Sequence, residues 1–346
     1  MCKHQKQISK HNILKKRNLI FTGICFFFLH FSIAKTKQVT IELYVNKIYD
    51  IETVNSTFQV DGYLILKWKI SRAEIKNKNF IKGKSIYYDG QIEKLKKNFF
   101  WIPNIEFINK LDDIIIDKSV LTIFDDGLVV YRKRFNCHFH SKMDLTKFPF
   151  DTQTFVINFE SFLYKNHELT FVNPNLFYDK SFSDIDPEWK VKEQYAEIKV
   201  MKYKGGFFED TNNKEDIYSR TSFVFKFKRK AGYYLWQVLF PLFLIVFSSW
   251  VIFWIKSYTD QLNIGFTLLL TVVAFNFFSN SLLPKLPYNT FLESVIILSY
   301  ISITSSIILL VYKNTLKEKK SSINFKWIFP LVFVTSILIL TTIYFL

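Results

Sequence analysis

Cysteine and glycine are scarce in this chain, at 3 and 9 of 346 residues. Cys2 and Cys25 both fall within residues 1–34, a segment with no Asp or Glu. If that segment is removed, Cys137 is the only thiol left and no intrachain disulfide can form. Also missing are a nucleophile paired with a His, a phosphate-cradling loop and a cluster with metal-ligand spacing. These absences argue against an enzyme and imply no cofactor and no metal centre. His138 and His140 share one strand face at i, i+2, but no third ligand is near in sequence, so they read as structural. No internal repeat is present, nor any low-complexity tract beyond lysine-rich stretches.

Apolar and aromatic residues are abundant instead, at 49% and 18% with 39 Phe. They concentrate at residues 19–34 and again after Tyr233. The formal charge of +16 suggests a nucleic-acid partner, yet Lys3, Lys6, Lys10, Lys15, Lys16 and Arg17 supply six of those charges, and +10 remains without them. A basic stretch, an apolar run from Leu19 to Phe31 and the small residues of Ser32-Ile33-Ala34 read as a signal peptide over 1–34. The alternative, an N-terminal anchor, is disfavoured because the run is shorter than the ~20 residues a span needs. Export combined with membrane spans argues against a nucleic-acid partner.

Residues 35–230 read as one antiparallel β-sandwich of immunoglobulin-like type. Val39, Ile41, Leu43 and Val45 alternate at period two, and so do Val224 and its neighbours Lys226 and Lys228. Short β-branched and aromatic runs recur at 57–68, 99–108, 120–124, 128–139, 153–160 and 189–202. Asp126-Gly127, Asn173-Pro174, Asp186-Pro187 and Gly205-Gly206 read as turns between them. Many short strands without a long amphipathic helix suit a sandwich.

Residues 231–346 read as a four-helix membrane domain, with spans at 235–255, 262–283, 291–312 and 327–346. Tyr233, Tyr234 and Trp236 form an interfacial aromatic cluster at its start. Pro241 and Pro330 fall within spans, which membrane helices tolerate. With the sandwich outside the cytoplasm, the short loop between spans three and four is inside. Its Lys313, Lys317, Lys319, Lys320 and Lys326 against Glu318 obey the positive-inside bias. In the second span Asn263, Thr267, Leu270, Ala274, Phe277 and Ser281 fall on one helical face at about 100° per residue. A polar stripe gains nothing from facing lipid, whereas a water-filled pore with apolar constrictions uses one. A non-conducting, membrane-anchored binding protein has no need of it.

Several motifs in order carry a resemblance: Phe58 to Tyr63 (FQVDGY), Trp101-Ile102-Pro103, Asp144 to Asp151 (DLTKFPFD), Leu283 to Tyr288 (LPKLPY) and FTLLLTVVAF within the second span. From about Val39 to the C-terminus the chain resembles the bacterial pentameric ligand-gated ion channels, relatives of the Cys-loop receptors, and in its second span their amine-gated branch. The two signature cysteines of the animal receptors fall here on Ser141 and Phe155, so the resemblance leaves that loop to the packing of Phe148, Pro149 and Phe150.

The resemblance implies a homopentamer in the cell's inner membrane, with its N-terminal domain extracytoplasmic and a pore for monovalent cations opened by a small-molecule agonist. Leu270 and Phe277 match the gate positions, the alternative being packing between helices. Asp260, just before the second helix, matches a selectivity acid, and five copies form an anionic ring. As a helix-start carboxylate it also suits the helix dipole. The agonist site falls on Glu106, Glu160, Phe162, Tyr203 and Tyr218, with Tyr63 facing them from the neighbouring subunit. Carboxylates among aromatic faces suit an ammonium ion, and hence a primary amine. Ordinary sandwich aromatics and surface acids are the alternative. Arg132 and Val120 depart from the amine-gated pattern, and the extra cation shifts the expectation toward zwitterions. Protons or an unrelated ligand are the other agonists this fold allows. Asp151 and Arg229 are the expected coupling pair, with Pro149 and Lys285 in the loops that carry the signal. A solvated arginine is the alternative for Arg229.

Overall fold

Alternation of apolar and polar side chains builds two facing sheets. The computed structural model describes residues 36–71, 86–89, 101–113, 118–178, 187–204, 215–315 and 325–346. The expected signal segment, Gly205-Gly206 and Lys317, Lys319 and Lys320 lie outside the described residues. The strands are β1 (Lys37–Glu52), β2 (Thr57–Lys69), β3 (Ile86–Asp89), β4 (Ile105–Phe107), β5 (Ser119–Ile123), β6 (Leu128–His140), β7 (Thr152–Ser161), β8 (Leu169–Tyr178), β9 (Trp189–Tyr203) and β10 (Asp216–Arg229). One sheet runs β3-β5-β6-β2-β1-β8 and the other β4-β7-β10-β9.

Val39, Ile41, Leu43 and Val45 are fully buried, as period-two alternation requires. Between the sheets lies a phenylalanine core. Phe107 packs at a tilt against Phe159 at 4.5 Å and Phe135 at 4.9 Å, and Phe58 meets Phe155 edge-on at 5.0 Å. Aromatic pairs at such spacings add to the area they bury. At the two positions matching the signature cysteines, Phe155 is fully buried and the Ser141 hydroxyl donates to the Thr154 carbonyl at 2.8 Å.

Two strands were not expected, β3 and β8. Asn173-Pro174, read as a turn, lies inside β8, where Asn173 takes a φ of 49°. β8 is the outer strand of its sheet, so a proline there removes no ladder bond from a central strand.

The helices are α1 (Gly232–Trp254), α2 (Tyr258–Asn280), α3 (Phe291–Thr315) and α4 (Phe325–Phe345), each long and apolar enough to cross a membrane. α1 begins three residues earlier than hydropathy placed it. It carries a π-turn at Leu235–Leu239 ahead of Pro241, which lacks the amide a regular turn would use. α2 starts at Tyr258, because Ser257 caps it by accepting the Asp260 amide at 3.4 Å. α3 opens on a capping box: Thr290 and Glu293 exchange side chain-to-amide bonds of 2.8 and 3.2 Å.

Gly62, in the FQVDGY motif, sits where a Cβ would lie 2.5 Å from the Tyr44 carbonyl. Gly62→Ala is expected to cost about 1–3 kcal/mol. Thermal unfolding of the purified chain checks this, and an unchanged midpoint would show that β1 yields there.

Candidate functional site

Three regions carry the expected site residues. The first is the upper end of the four-stranded sheet. Glu160 on β7 lies opposite Arg220 on β10 and opposite Glu106 on β4. The Arg220 guanidinium donates to the Glu160 carboxylate at 2.8 Å, with side chains only 15% and 6% exposed. The Tyr203 hydroxyl donates to Glu160 at 3.0 Å and accepts from Arg220 at 2.5 Å. Burial, with the neighbouring Glu160 charge, pushes the Tyr203 phenol up, so it stays a neutral donor. The ring of Tyr218 packs edge-on against Tyr203 at 5.8 Å and is itself buried. Two strand positions before Arg220, Tyr218 is also beside Asp216, whose buried carboxylate pairs with Lys165 at 2.8 Å. Glu106 and Phe162 are exposed at the rim.

Arg220 was not expected from the sequence. It lies on the same strand face as Tyr218, and that period-two spacing was the only signal for it. Its effect is substantial: Glu160 is already neutralised within its own chain.

The second sheet holds the remaining expected ligand residues. Tyr63 on β2 is 37% exposed, meets Tyr44 edge-on at 6.4 Å and lies under the Arg134 guanidinium at 5.9 Å. Arg132 on β6 is exposed, opposite Ile65 on one side and Val120 on the other. Within one chain Tyr63 and Arg132 belong to the six-stranded sheet, whereas Glu160, Tyr203, Tyr218 and Arg220 belong to the four-stranded one. Lower on β6, His138 contacts Asp112 and has Asp50 at 3.6 Å.

The second region is the junction between sandwich and helices. Arg229 is fully buried and grips Asp151 with two bonds, of 2.8 and 3.2 Å. Its guanidinium lies 4.1 Å from the Trp189 ring centre, 4.9 Å from Phe148 and 5.7 Å from Tyr234. Thr53, from the turn between β1 and β2, accepts a further bond at 3.2 Å, and Glu188 stands at 3.4 Å. A solvated arginine is therefore ruled out. The DLTKFPFD loop docks on α3: the Phe291 and Leu292 amides donate to the Thr146 and Phe148 carbonyls at 2.9 and 3.2 Å. Within it Asp144 accepts bonds from the Thr146 hydroxyl and amide, which hold its carboxyl below the usual range. Pro149 is buried beside Phe148, whereas Lys285 is exposed.

The third region is α2. Asn263, Thr267, Leu270, Ala274, Phe277 and Ser281 are all exposed, Leu270 by 69% and Phe277 by 74%. Gly265, Val272 and Ser279 are buried on the opposite side. At Gly265 a Cβ would lie 2.9 Å from Ile307, so the missing side chain lets α2 and α3 approach closely. Ser281 is the C-cap of α2 rather than part of its span, and Asp260 lies inside the first turn rather than before it.

A β-sandwich seated on four spanning helices, with a buried ion pair at the junction and one helix turning a polar stripe away from the others, defines a ligand-gated channel architecture. Residues 32–231 match the family model for the neurotransmitter-gated ion-channel ligand binding domain, and the chain belongs to that family of channels, which are not enzymes. The γ-aminobutyric acid receptor subunit rho-2 of Bos taurus is 24% identical over 295 residues, covering 82% of this chain and 60% of the relative. The proton-gated ion channel of Gloeobacter violaceus is 23% identical over 314 residues, covering 89% and 83%. The rho-1 subunit of Homo sapiens is 25% identical over 295 residues, covering 82% and 58%. The chain thus spans about 60% of the length of the γ-aminobutyric acid receptor subunits. These relatives are named for γ-aminobutyric acid and for protons, not for the amines of the branch resembled.

Removing one partner of the buried junction pair leaves an uncompensated charge. Arg229→Gln is expected to destabilise the chain by about 3–5 kcal/mol, and adding Asp151→Asn should restore part of the loss. Thermal unfolding of the two single variants and the double variant checks this. A strictly additive result would remove the pair from the account.

Proposed function

We propose that five copies of this chain form a homopentameric channel in the cell's inner membrane, with the sandwiches outside. The pore is lined by α2 and conducts monovalent cations. The observation that carries this reading is the exposure of the whole α2 stripe in a helix whose other side is buried against α3. Leu270 and Phe277 supply apolar constrictions that can dewet. Five copies of Asp260, at the cytoplasmic mouth, supply an anionic ring that favours cations.

The agonist binds between the four-stranded sheet of one subunit and the six-stranded sheet of the next, with Tyr63 and Arg132 facing Glu106, Phe162, Tyr203 and Tyr218. A primary amine is supported by these rings, each worth about 0.5–2 kcal/mol to an ammonium ion. A second reading is favoured by Arg220. With Glu160 already paired, a ligand carrying both an ammonium and a carboxylate, as γ-aminobutyric acid does, suits the site better than a bare amine. Coupling then runs from the pocket through β10 to Arg229, Asp151, Pro149 and α3, with Lys285 on the α2–α3 linker.

Voltage clamp under a salt gradient tests the pore. Asp260→Lys should move the reversal potential toward that of chloride, and Leu270→Ser should give spontaneous current. If neither changes, α2 does not line the pore.

The same recordings separate the agonist readings through a screen of amines, amino acids and pH steps. If the agonist is zwitterionic, Arg132→Asn weakens its action by roughly 1–3 kcal/mol, about one to two decades in concentration. For a simple amine the same change should strengthen it, because a repelling cation is gone. Current from a pH step alone would assign gating to protons.

A further inference from the structure

The backbone changes sheets at Asn109. β4 pairs with β7 as far as Phe107, and the Ile108 amide still donates to the Asn158 carbonyl at 2.9 Å. One residue later the Asn109 carbonyl accepts from the His140 amide at 3.0 Å. The Leu111 amide then donates to the His138 carbonyl at 2.9 Å, around a bridge between Lys110 and Phe139. β5 pairs with β6 only from Val129 to Lys133, so this segment takes the edge of β6 below it. Backbone groups beside such a crossing lose ladder partners and must find others.

The Asn109 side chain supplies them. Its Nδ2 donates to the His140 carbonyl at 2.8 Å, on β6, and to the Val156 carbonyl at 2.7 Å, on β7. Its Oδ1 accepts the Asn158 amide at 3.0 Å. One amide thus serves three backbone groups in two sheets. Two donors and an acceptor at those places specify a carboxamide, because a carboxylate would set an oxygen against two carbonyl oxygens. His140 precedes Ser141 and Val156 follows Phe155, the two positions matching the signature cysteines. The Ser141 hydroxyl adds its bond to the Thr154 carbonyl at the same place. Here hydrogen bonds, not a covalent link, tie the end of β6 to the start of β7.

Both ends of this tie lead to functional regions. Glu106, at the rim of the four-stranded sheet, is three residues before Asn109. Asn158 is two residues before Glu160, and its side chain accepts from Ser222, two residues beyond Arg220, at 2.7 Å. On the other side His140 ends β6 and leads into the DLTKFPFD loop, whose Thr146 and Phe148 carbonyls meet the first amides of α3.

We propose that Asn109 is a positioning residue for gating. It makes a displacement of β4 and β7 carry the end of β6 and the DLTKFPFD loop with it, by a route separate from Arg229. This role presupposes the channel function proposed above and adds a second coupling route to it.

Hydrogen exchange and voltage clamp of the full chain test the role through Asn109→Asp, which keeps the shape but replaces both donors with an acceptor. Exchange at the Phe291 and Leu292 amides should quicken about tenfold, while the amides of β1 exchange as before. γ-Aminobutyric acid and propylamine serve as probes, one for each agonist reading. For the probe that opens the unaltered chain, the half-maximal concentration should rise about tenfold. Acid protonates the new carboxyl and returns one donor, so part of that loss should be recovered at low pH, each variant being compared with the unaltered chain at the same pH. Asn109→Ala has no donor to regain and should recover nothing. Leu43→Ala, a core truncation on β1, should lower the melting temperature without quickening Phe291 and Leu292 selectively. Should Asn109→Asp fail to assemble, Asn109→Ser, which keeps one donor, is read by the same exchange pattern. Unchanged exchange at Phe291 and Leu292, equal quickening in every strand, or the same acid response in the Asp and Ala variants would each overturn the proposal. If neither probe opens the unaltered chain, the agonist reading fails, and the exchange pattern alone decides the role of Asn109.

Discussion

A fully buried guanidinium is the constraint around which this molecule is organised. Removing Arg229 from water is costly, and the compensation comes from several elements at the junction: Asp151 at the end of the DLTKFPFD loop, Thr53 from the β1–β2 turn, Glu188 ahead of β9, and the faces of Trp189, Phe148 and Tyr234. Such a pair is a poor source of net stability, because desolvation consumes most of the Coulombic gain. Its contribution is geometric. A bidentate Arg–Asp contact under three aromatic rings fixes the end of β10, three residues before α1, to the DLTKFPFD loop in a way that greasy packing alone would not.

The membrane half is held by different means. Lipid tails are as apolar as leucine, so helix association there relies on close approach and internal hydrogen bonding. α3 buries Ser299, Ser302 and Ser306, each donating to a carbonyl of its own helix, while Gly265 admits Ile307 and the Tyr300 hydroxyl reaches the Val272 carbonyl at 3.2 Å. The side of α2 so engaged is small and uniform. Its other side keeps Leu270 and Phe277 exposed.

Features that rest on local periodicity were legible in the sequence. The alternation of β1 and the one-sided spacing of Asn263 to Ser281 both follow from residues a few positions apart, and both appear in the structure as buried and exposed faces. Pairing of Asp151 with Arg229 was legible through the family motif rather than through chemistry. Arg220 was not, because its meaning depends on a cross-strand partner 60 residues away, and nothing in SRTSFVF announces that register. Pro174 misled for a similar reason: a proline signals a turn unless the strand is at a sheet edge, and edge position is a property of the whole sheet. The first turn of α2 was missed by hydropathy because its capping residues are polar.

The contact between the DLTKFPFD loop and α3 is made by backbone groups at both ends, the Phe291 and Leu292 amides meeting the Thr146 and Phe148 carbonyls. The first amides of any helix lack partners within it, so a docked loop is one way to satisfy them. No substitution other than proline deletes such a bond, so this seam tolerates sequence drift that would unmake a salt bridge. Were the loop to lift away, water could take over the same amides, so the helix end would exchange one set of acceptors for another and would not be left bare. The capping bonds between Thr290 and Glu293 lie within the helix and do not depend on the loop.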